Sequence, residues 1–71
     1  MIWFFERRGD HLRCELRPQI EGDRYDLLIT HPDGTESVES FADPRDLSRR
    51  TEELERLWHA DGWSGPFSRD W

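Results

Sequence analysis

Three histidines are the first residues in this chain that could bind a metal ion or move protons. His11 lies next to a predicted hairpin turn, His31 opens a second predicted turn and His59 lies near a predicted helix end. Structural metal sites usually contain paired ligands two to four residues apart, whereas these three residues are widely separated. In the last turn of a helix, His59 instead complements the negative end of the helix dipole. The sequence therefore predicts no metal site.

Acidic and hydroxyl side chains provide no catalytic arrangement either. Glu52 and Glu53 are neighbours on a predicted helix, so their carboxylates point about 100° apart and cannot flank one substrate. Three hydroxyl residues have no base at a catalytic spacing: Ser48, Thr51 and Ser64. Gly9 belongs to a predicted hairpin turn and not to a glycine-rich phosphate loop. We expect a protein that is not an enzyme and that has no cofactor or small-molecule ligand.

The single cysteine excludes an internal disulfide. Cys14 alternates with Arg13 and Glu15, so it takes the inward register of a predicted strand. A lone cysteine in such a position usually behaves as a small buried hydrophobic residue. We therefore expect an unreactive thiol.

The charge of the chain disfavours nucleic acid and anionic membranes as partners. The formal net charge is −6 at pH 7, and residues 25–71 carry all of it. Phosphate binding depends on Lys and Arg side chains that displace counterions, which an acidic surface does not supply. The basic residues are all arginine and asparagine is absent, a composition typical of a GC-rich bacterial genome.

Length and hydropathy predict one small cytoplasmic domain. A chain of 71 residues lies near the lower limit for a self-sufficient core. Four Trp, four Phe and one Tyr supply large rings that argue against disorder. No segment approaches the roughly 20 apolar residues of a membrane helix. The apolar run over residues 1–5 lacks the basic region and the cleavage site of a signal peptide.

The apolar period changes once, at Asp43-Pro44, from every second residue to every third or fourth. This change predicts an α+β fold, in which a four-stranded antiparallel meander of two hairpins precedes one C-terminal helix packed on one sheet face. Residues 1–63 are expected to form the domain. Residues 64–71 show no period and are predicted to form an aromatic tail.

The first hairpin is predicted from its glycine. Gly9-Asp10 is expected to form the turn, because a two-residue hairpin demands positive φ. Arg8 would then pair with His11, and Phe5 would lie opposite Cys14.

The second hairpin is predicted from residues 31–35 (HPDGT), in which Pro, Asp and Gly suit successive turn positions. This register places Leu28 beside Val38. The strand over residues 35–41 is polar and is expected to lie at a sheet edge.

Both ends of the helix carry local signals. Asp43 is a suitable N-cap and Pro44 suits the first helical position. Gly62 suits the left-handed residue that ends a helix. We expect the helix to begin at Asp43 or Pro44 and to end within a residue or two of Asp61.

Four apolar residues are predicted to point away from the helix: Ile2, Phe4, Leu28 and Val38. Single exposed apolar residues are common, but a contiguous group of them indicates a covered surface. Three large aromatic residues are left over from the predicted core: Trp63, Phe67 and Trp71. We expect these seven residues to form an interaction face, with the tail covering the sheet in the same chain, or a second copy or another protein covering it. Scattered exposure without a partner is a third possibility.

These features predict a small protein–protein interaction or regulatory module that forms a homodimer or binds another protein. The strand-strand-strand-strand-helix order is similar to that of PC4-type single-stranded-DNA-binding coactivators, in topology and not in motif. That resemblance implies nucleic-acid binding by one aromatic residue and three arginines: Phe4, Arg8, Arg13 and Arg17. Glu6 and Glu15 lie between these arginines and cancel their charge. A further alternative is an acidic domain that occupies a basic groove on a partner.

Overall fold

The computed structural model describes residues 1–19 and 22–68, which form five strands and one helix. The elements in chain order are β1 (Ile2–Arg7), β2 (Asp10–Pro18), β3 (Tyr25–Thr30), β4 (Glu36–Phe41), α1 (Pro44–Ala60) and β5 (Ser64–Ser68). The strands form one antiparallel sheet in the order β4-β3-β2-β1-β5. The helix packs on one face of this sheet, so the α+β prediction is confirmed.

The first hairpin turns one residue earlier than its sequence predicts. Arg7 pairs with Asp10, and the two turn residues are Arg8 and Gly9, with φ values of 50° and 86°. Two positive φ values in a two-residue loop match the right-handed twist of the strands. The prediction that Arg8 pairs with His11 is wrong, because Arg8 itself adopts the left-handed conformation.

This correction shifts the pairing of β1 and β2 by two residues. Trp3 lies opposite Cys14 and Phe5 lies opposite Leu12, whereas the predicted register placed Phe5 opposite Cys14. Because side chains alternate with a period of two, a shift of two leaves every residue on its predicted face.

The second hairpin agrees with its prediction. The His31 amide donates to the Thr35 carbonyl at 2.8 Å, which closes the turn over residues 31–35. Leu28 lies opposite Val38, as expected. The polar strand β4 lies at the edge of the sheet.

The helix begins as predicted. The Asp43 side chain accepts a hydrogen bond from the Arg45 amide at 2.8 Å, and Pro44 is the first helical residue. The carboxylate satisfies one of the amides that have no partner within the helix.

The helix also ends as predicted. Gly62 has a φ of 89°, and its amide donates to the His59 carbonyl at 3.1 Å. The Trp63 amide donates to the Trp58 carbonyl at 2.9 Å. These two bonds form a Schellman motif, which reverses the chain directly after Asp61.

Strand β5 forms where an aperiodic tail is predicted. Phe67 pairs with Phe4 and Ser64 pairs with Glu6, with a bulge in β5 between the two pairs. Gly65 lies in this bulge at a φ of 137°, close to the β1 backbone. Residues 64–68 are therefore part of the sheet, and residues 69–71 lie outside the described residues.

The core lies between α1 and the inner face of the sheet, defined as the face that contacts the helix. The buried hydrophobic residues are Phe5, Leu12, Cys14, Leu27, Ile29, Leu47, Leu54 and Trp63. The ring of Trp58 packs edge-on against the ring of Phe5, with centroids 4.8 Å apart. Among the described residues, no helix is long and apolar enough to span a membrane.

Candidate functional site

The outer face of the sheet is the face opposite α1. Paired residues of neighbouring strands share a face, so the strand register defines rows of side chains across it. One row consists of Ile2, Glu15, Leu28 and Val38. The next row consists of Phe67, Phe4, Arg13, Thr30 and Glu36. These two rows bring apolar residues from four strands onto one surface.

Five of the seven predicted interaction residues lie on this outer face: Ile2, Phe4, Leu28, Val38 and Phe67. We call this set the outer patch. The side chains of Val38 and Phe67 are 59% and 50% exposed. Trp71, the seventh predicted residue, lies outside the described residues.

Trp63 is the predicted interaction residue that the structure places elsewhere. It is 7% exposed and belongs to the hydrophobic core. The Arg7 guanidinium lies over its ring, 4.6 Å from the ring centroid, and Arg7 Nη1 donates to the carbonyl of Asp61 at 3.0 Å. The reversal at Gly62 turns the following residue back onto the core, so the prediction that Trp63 joins the interaction face is wrong.

Strand β5 does not cover the outer patch. It extends the sheet beside β1, and its Phe67 enlarges the patch next to Phe4. The sequence expectation that the tail covers the sheet in the same chain therefore fails for residues 64–68. Among the described residues, the remaining possibilities are a second copy, another protein, or scattered exposure without a partner.

Three charged residues of β2 form the polar centre of the outer face. Glu15 Oε2 lies 2.9 Å from Nη2 of Arg17 and 3.6 Å from Nη1 of Arg13. The Glu15 side chain is 14% exposed, although it lies on the open side of the sheet. The Arg17 guanidinium is the main cause that lowers the pKa of Glu15, with a smaller contribution from Arg13. The carboxylate is ionised, and each arginine has its charge partly compensated.

A second polar cluster lies at the end of the outer face away from the hairpin turns. Asp26 accepts hydrogen bonds from Gln19 Nε2 at 2.9 Å and from Ser40 Oγ at 2.7 Å. These two donors lower the pKa of Asp26. The cluster joins β3 to β4 and to the loop that follows β2. At this end, the outer patch is therefore bordered by polar groups that are held by hydrogen bonds.

A shallow cleft of about 550 Å³ lies at the opposite end, beside the two hairpin turns. Two of its residues are the predicted proton-transfer candidates His11 and His31, and the rings of Phe4 and Phe67 form another wall. His31 Nε2 is within hydrogen-bond distance of Ser37 Oγ, at 3.0 Å. The cleft has mixed charge, because Arg13 lines it together with the carboxylates of Glu6 and Asp10.

The third histidine has a structural role. His59 Nε2 lies 2.8 Å from the Gly65 carbonyl oxygen, so its ring N–H donates to β5. This bond joins the end of α1 to the bulge of β5. His59 does not line the cleft that contains His11 and His31.

The comparisons with known proteins assign no function to this chain. No protein-family model, no characterised protein and no solved structure matches it. Its function is therefore inferred from the outer face of the sheet.

Proposed function

We propose that this protein is a small cytoplasmic protein–protein interaction module, without catalytic activity, that self-associates through its outer sheet face. The observation that carries the proposal is the outer patch, which spans four strands and includes the exposed residues Val38 and Phe67 near opposite edges of the sheet. One-sided antiparallel sheets usually present a polar outer face to water. Here Glu15 and Arg13 of β2 separate two apolar groups on that face, one on β1 and β5 and one on β3 and β4. Exposed apolar groups of this kind are typical of a protein interface.

The charges of the outer face favour a second copy as the partner. Glu15 is bracketed along β2 by Arg13 and Arg17, so opposite charges alternate about 7 Å apart. When two copies pack face to face with antiparallel β2 strands, an offset of one such step places the Glu15 of each copy opposite an arginine of the other. A two-fold axis makes both contacts identical.

The size of the face predicts a weak dimer. Five strands spaced about 4.8 Å apart and about 20 Å long give a face of roughly 480 Å². Stable interfaces usually bury about 800 Å² on each partner. Association through this face alone is therefore expected to be reversible and dependent on concentration.

Sedimentation of two charge variants tests the proposal. Phe67→Glu places a carboxylate in the outer patch, and in a two-fold contact the introduced carboxylates of both copies become buried or apposed. Leu57→Glu is the matched control, because Leu57 is 56% exposed on α1, away from the outer face. We expect Phe67→Glu to weaken self-association by about tenfold or more and Leu57→Glu to leave it unchanged. Equal association of both variants would contradict the proposal.

Single-stranded nucleic acid is the second candidate partner, and one observation favours it. Phe4 and Phe67 are paired on neighbouring strands with Arg13 next in the row, an arrangement that could stack bases and contact phosphate. The ion pairs of Glu15 oppose this function because they compensate the arginines. Retention on immobilised oligo-dT at low salt, lost in Phe67→Glu and kept in Leu57→Glu, would favour nucleic acid over self-association.

A further inference from the structure

Strand β4 is the edge of the sheet whose backbone remains available for pairing. The opposite edge is β5, which contains a bulge and Pro66, a residue with no N–H to donate. Both features are common means of blocking an edge strand. In contrast, β4 is a regular six-residue strand, paired with β3 along its whole length.

The register of the second hairpin shows which backbone groups of β4 point outward. The His31 amide donates to the Thr35 carbonyl, so this pair belongs to the hydrogen-bonded type. Hydrogen-bonded and non-hydrogen-bonded pairs alternate along an antiparallel ladder. Three residues of β4 therefore direct their N–H and C=O groups away from β3: Glu36, Val38 and Ser40.

We propose that a second copy of this chain pairs antiparallel along β4, with Val38 opposite Val38 across a two-fold axis. In this register Glu36 lies opposite Ser40, and the three outward-facing residues form about six hydrogen bonds with the second copy. A register displaced by two residues toward the C-terminal end of β4 would place Glu39 opposite Glu39, and like charges directly opposite are destabilising. The register centred on Val38 places Glu39 opposite Ser37.

Glu39 is an inward-pointing charge on β4, a feature that protects an edge strand when it has no partner. Glu39 Oε1 accepts a hydrogen bond from Arg50 Nε at 2.9 Å, which compensates the inward-facing carboxylate of β4. The backbone groups that point away from β3 are centred on Val38, which is exposed. Pairing at this position continues the row of Ile2, Glu15, Leu28 and Val38 into the second copy.

Pairing along β4 adds a second contact surface to the self-association proposed for the outer face. Two paired sheets have ten strands and an outer face of roughly 960 Å², twice the area of one copy. Both outer faces lie on the same side of this joint sheet, so a face contact then joins two edge-paired dimers into a tetramer. Edge pairing therefore doubles the face that each partner brings to that contact.

Cysteine cross-linking of the full chain tests the edge register. Val38→Cys places the two Cα atoms about 5.5 Å apart, within the range that a disulfide spans. A mixture of Glu36→Cys chains and Ser40→Cys chains should form a mixed disulfide dimer, whereas each variant alone places its sulfurs too far apart. Leu57→Cys, on the exposed surface of α1, is the control for random collision.

We expect Val38→Cys to cross-link at least about tenfold faster than Leu57→Cys, because pairing raises the effective thiol concentration. We also expect the mixture to cross-link while its separate components do not. Equal rates for Val38→Cys and Leu57→Cys, or cross-linking of Glu36→Cys alone, would overturn the proposal. Val38 belongs both to β4 and to the outer patch, so the mixed cross-link between Glu36→Cys and Ser40→Cys chains is the readout specific to the edge register, whereas Phe67→Glu reports on the outer face. An unchanged mass for Phe67→Glu together with the mixed cross-link would therefore refute the proposed face contact and support edge pairing.

Discussion

At the scale of single residues, burial determines the chemistry of the one thiol. Cys14 is 1% exposed, and burial raises its pKa to about 12, with a smaller contribution from the negative charge of Glu55. The thiolate is the reactive form of cysteine, so the folded protein holds this residue in its inert state. The expectation from sequence of a buried, unreactive thiol agrees with this environment.

Labelling of Cys14 should therefore depend on unfolding. We predict negligible reaction with a thiol reagent in the folded protein at pH 8 and complete reaction in denaturant. The stability that the raised pKa contributes is fully present below the thiol pKa of the unfolded chain, near 9, and falls as the pH rises toward about 12. Rapid labelling of the folded protein would contradict the buried position.

Arg7 joins groups that lie far apart in the sequence. It stacks on the Trp63 ring, and its Nη1 donates to the Asp61 carbonyl and pairs with the Asp61 carboxylate at 2.7 Å. The sequence contains no local signal for this contact, because Arg7 and Asp61 are 54 residues apart. Only the placement of α1 and β1 brings them together.

Arg7→Lys should lower the free energy of unfolding although it keeps the charge. A lysine lacks the planar group that stacks on an indole ring and donates in two directions. We expect a loss of about 1 kcal/mol, because the group is partly exposed and a cation–π contact at such a site contributes modestly. Urea denaturation measures this loss. Arg56→Lys on the exposed surface of α1 is the control, and an equal effect of both changes would contradict the role of Arg7.

At the scale of elements, local signals predict α1 and the second hairpin well. Asp43 and Gly62 each mark a helix end through a hydrogen bond or a backbone conformation that depends on the residue itself. The position of β5 depends on long-range contacts, which a local sequence pattern does not reveal. Strand β5 has no alternation to detect, and it forms because Gly65 allows the chain to approach β1 closely.

Gly65→Ala should loosen β5. A Cβ atom at this position would lie 2.8 Å from the Phe4 carbonyl oxygen, and the φ of 137° is itself unfavourable for alanine. We predict a loss of about 1–3 kcal/mol in unfolding free energy and faster hydrogen exchange along β1. Gly34→Ala is the control, because its φ is also positive but a Cβ there would have no atom within 4 Å. An equal loss in both variants would show that the contact with β1 is unimportant.

At the scale of the whole molecule, the alternation of side chains predicts most of the outer patch. Ile2, Phe4, Leu28 and Val38 follow from the period of two, which survives the register error in the first hairpin. Phe67 joins them through the unpredicted pairing of β5 with β1. Trp63 is not part of the outer patch, because the turn at Gly62, and not the alternation of a strand, determines its position.

The charge of the molecule influences the conditions for association. The chain carries a formal net charge of −6, so two copies repel each other at long range. Salt screens this repulsion, but it also weakens the pairing of exposed charges on the outer face. The apolar patch is therefore expected to supply most of the favourable free energy of the contact.

We propose that copies of this chain associate through the outer face of the sheet. Amide spectra by nuclear magnetic resonance, recorded from dilute to concentrated protein, test it residue by residue. We predict concentration-dependent shifts across the outer patch, including Phe67 on β5, far from the β4 edge, and constant signals on the exposed side of α1 around Leu57. Spectra that do not change with concentration, or changes confined to α1, would contradict the claim.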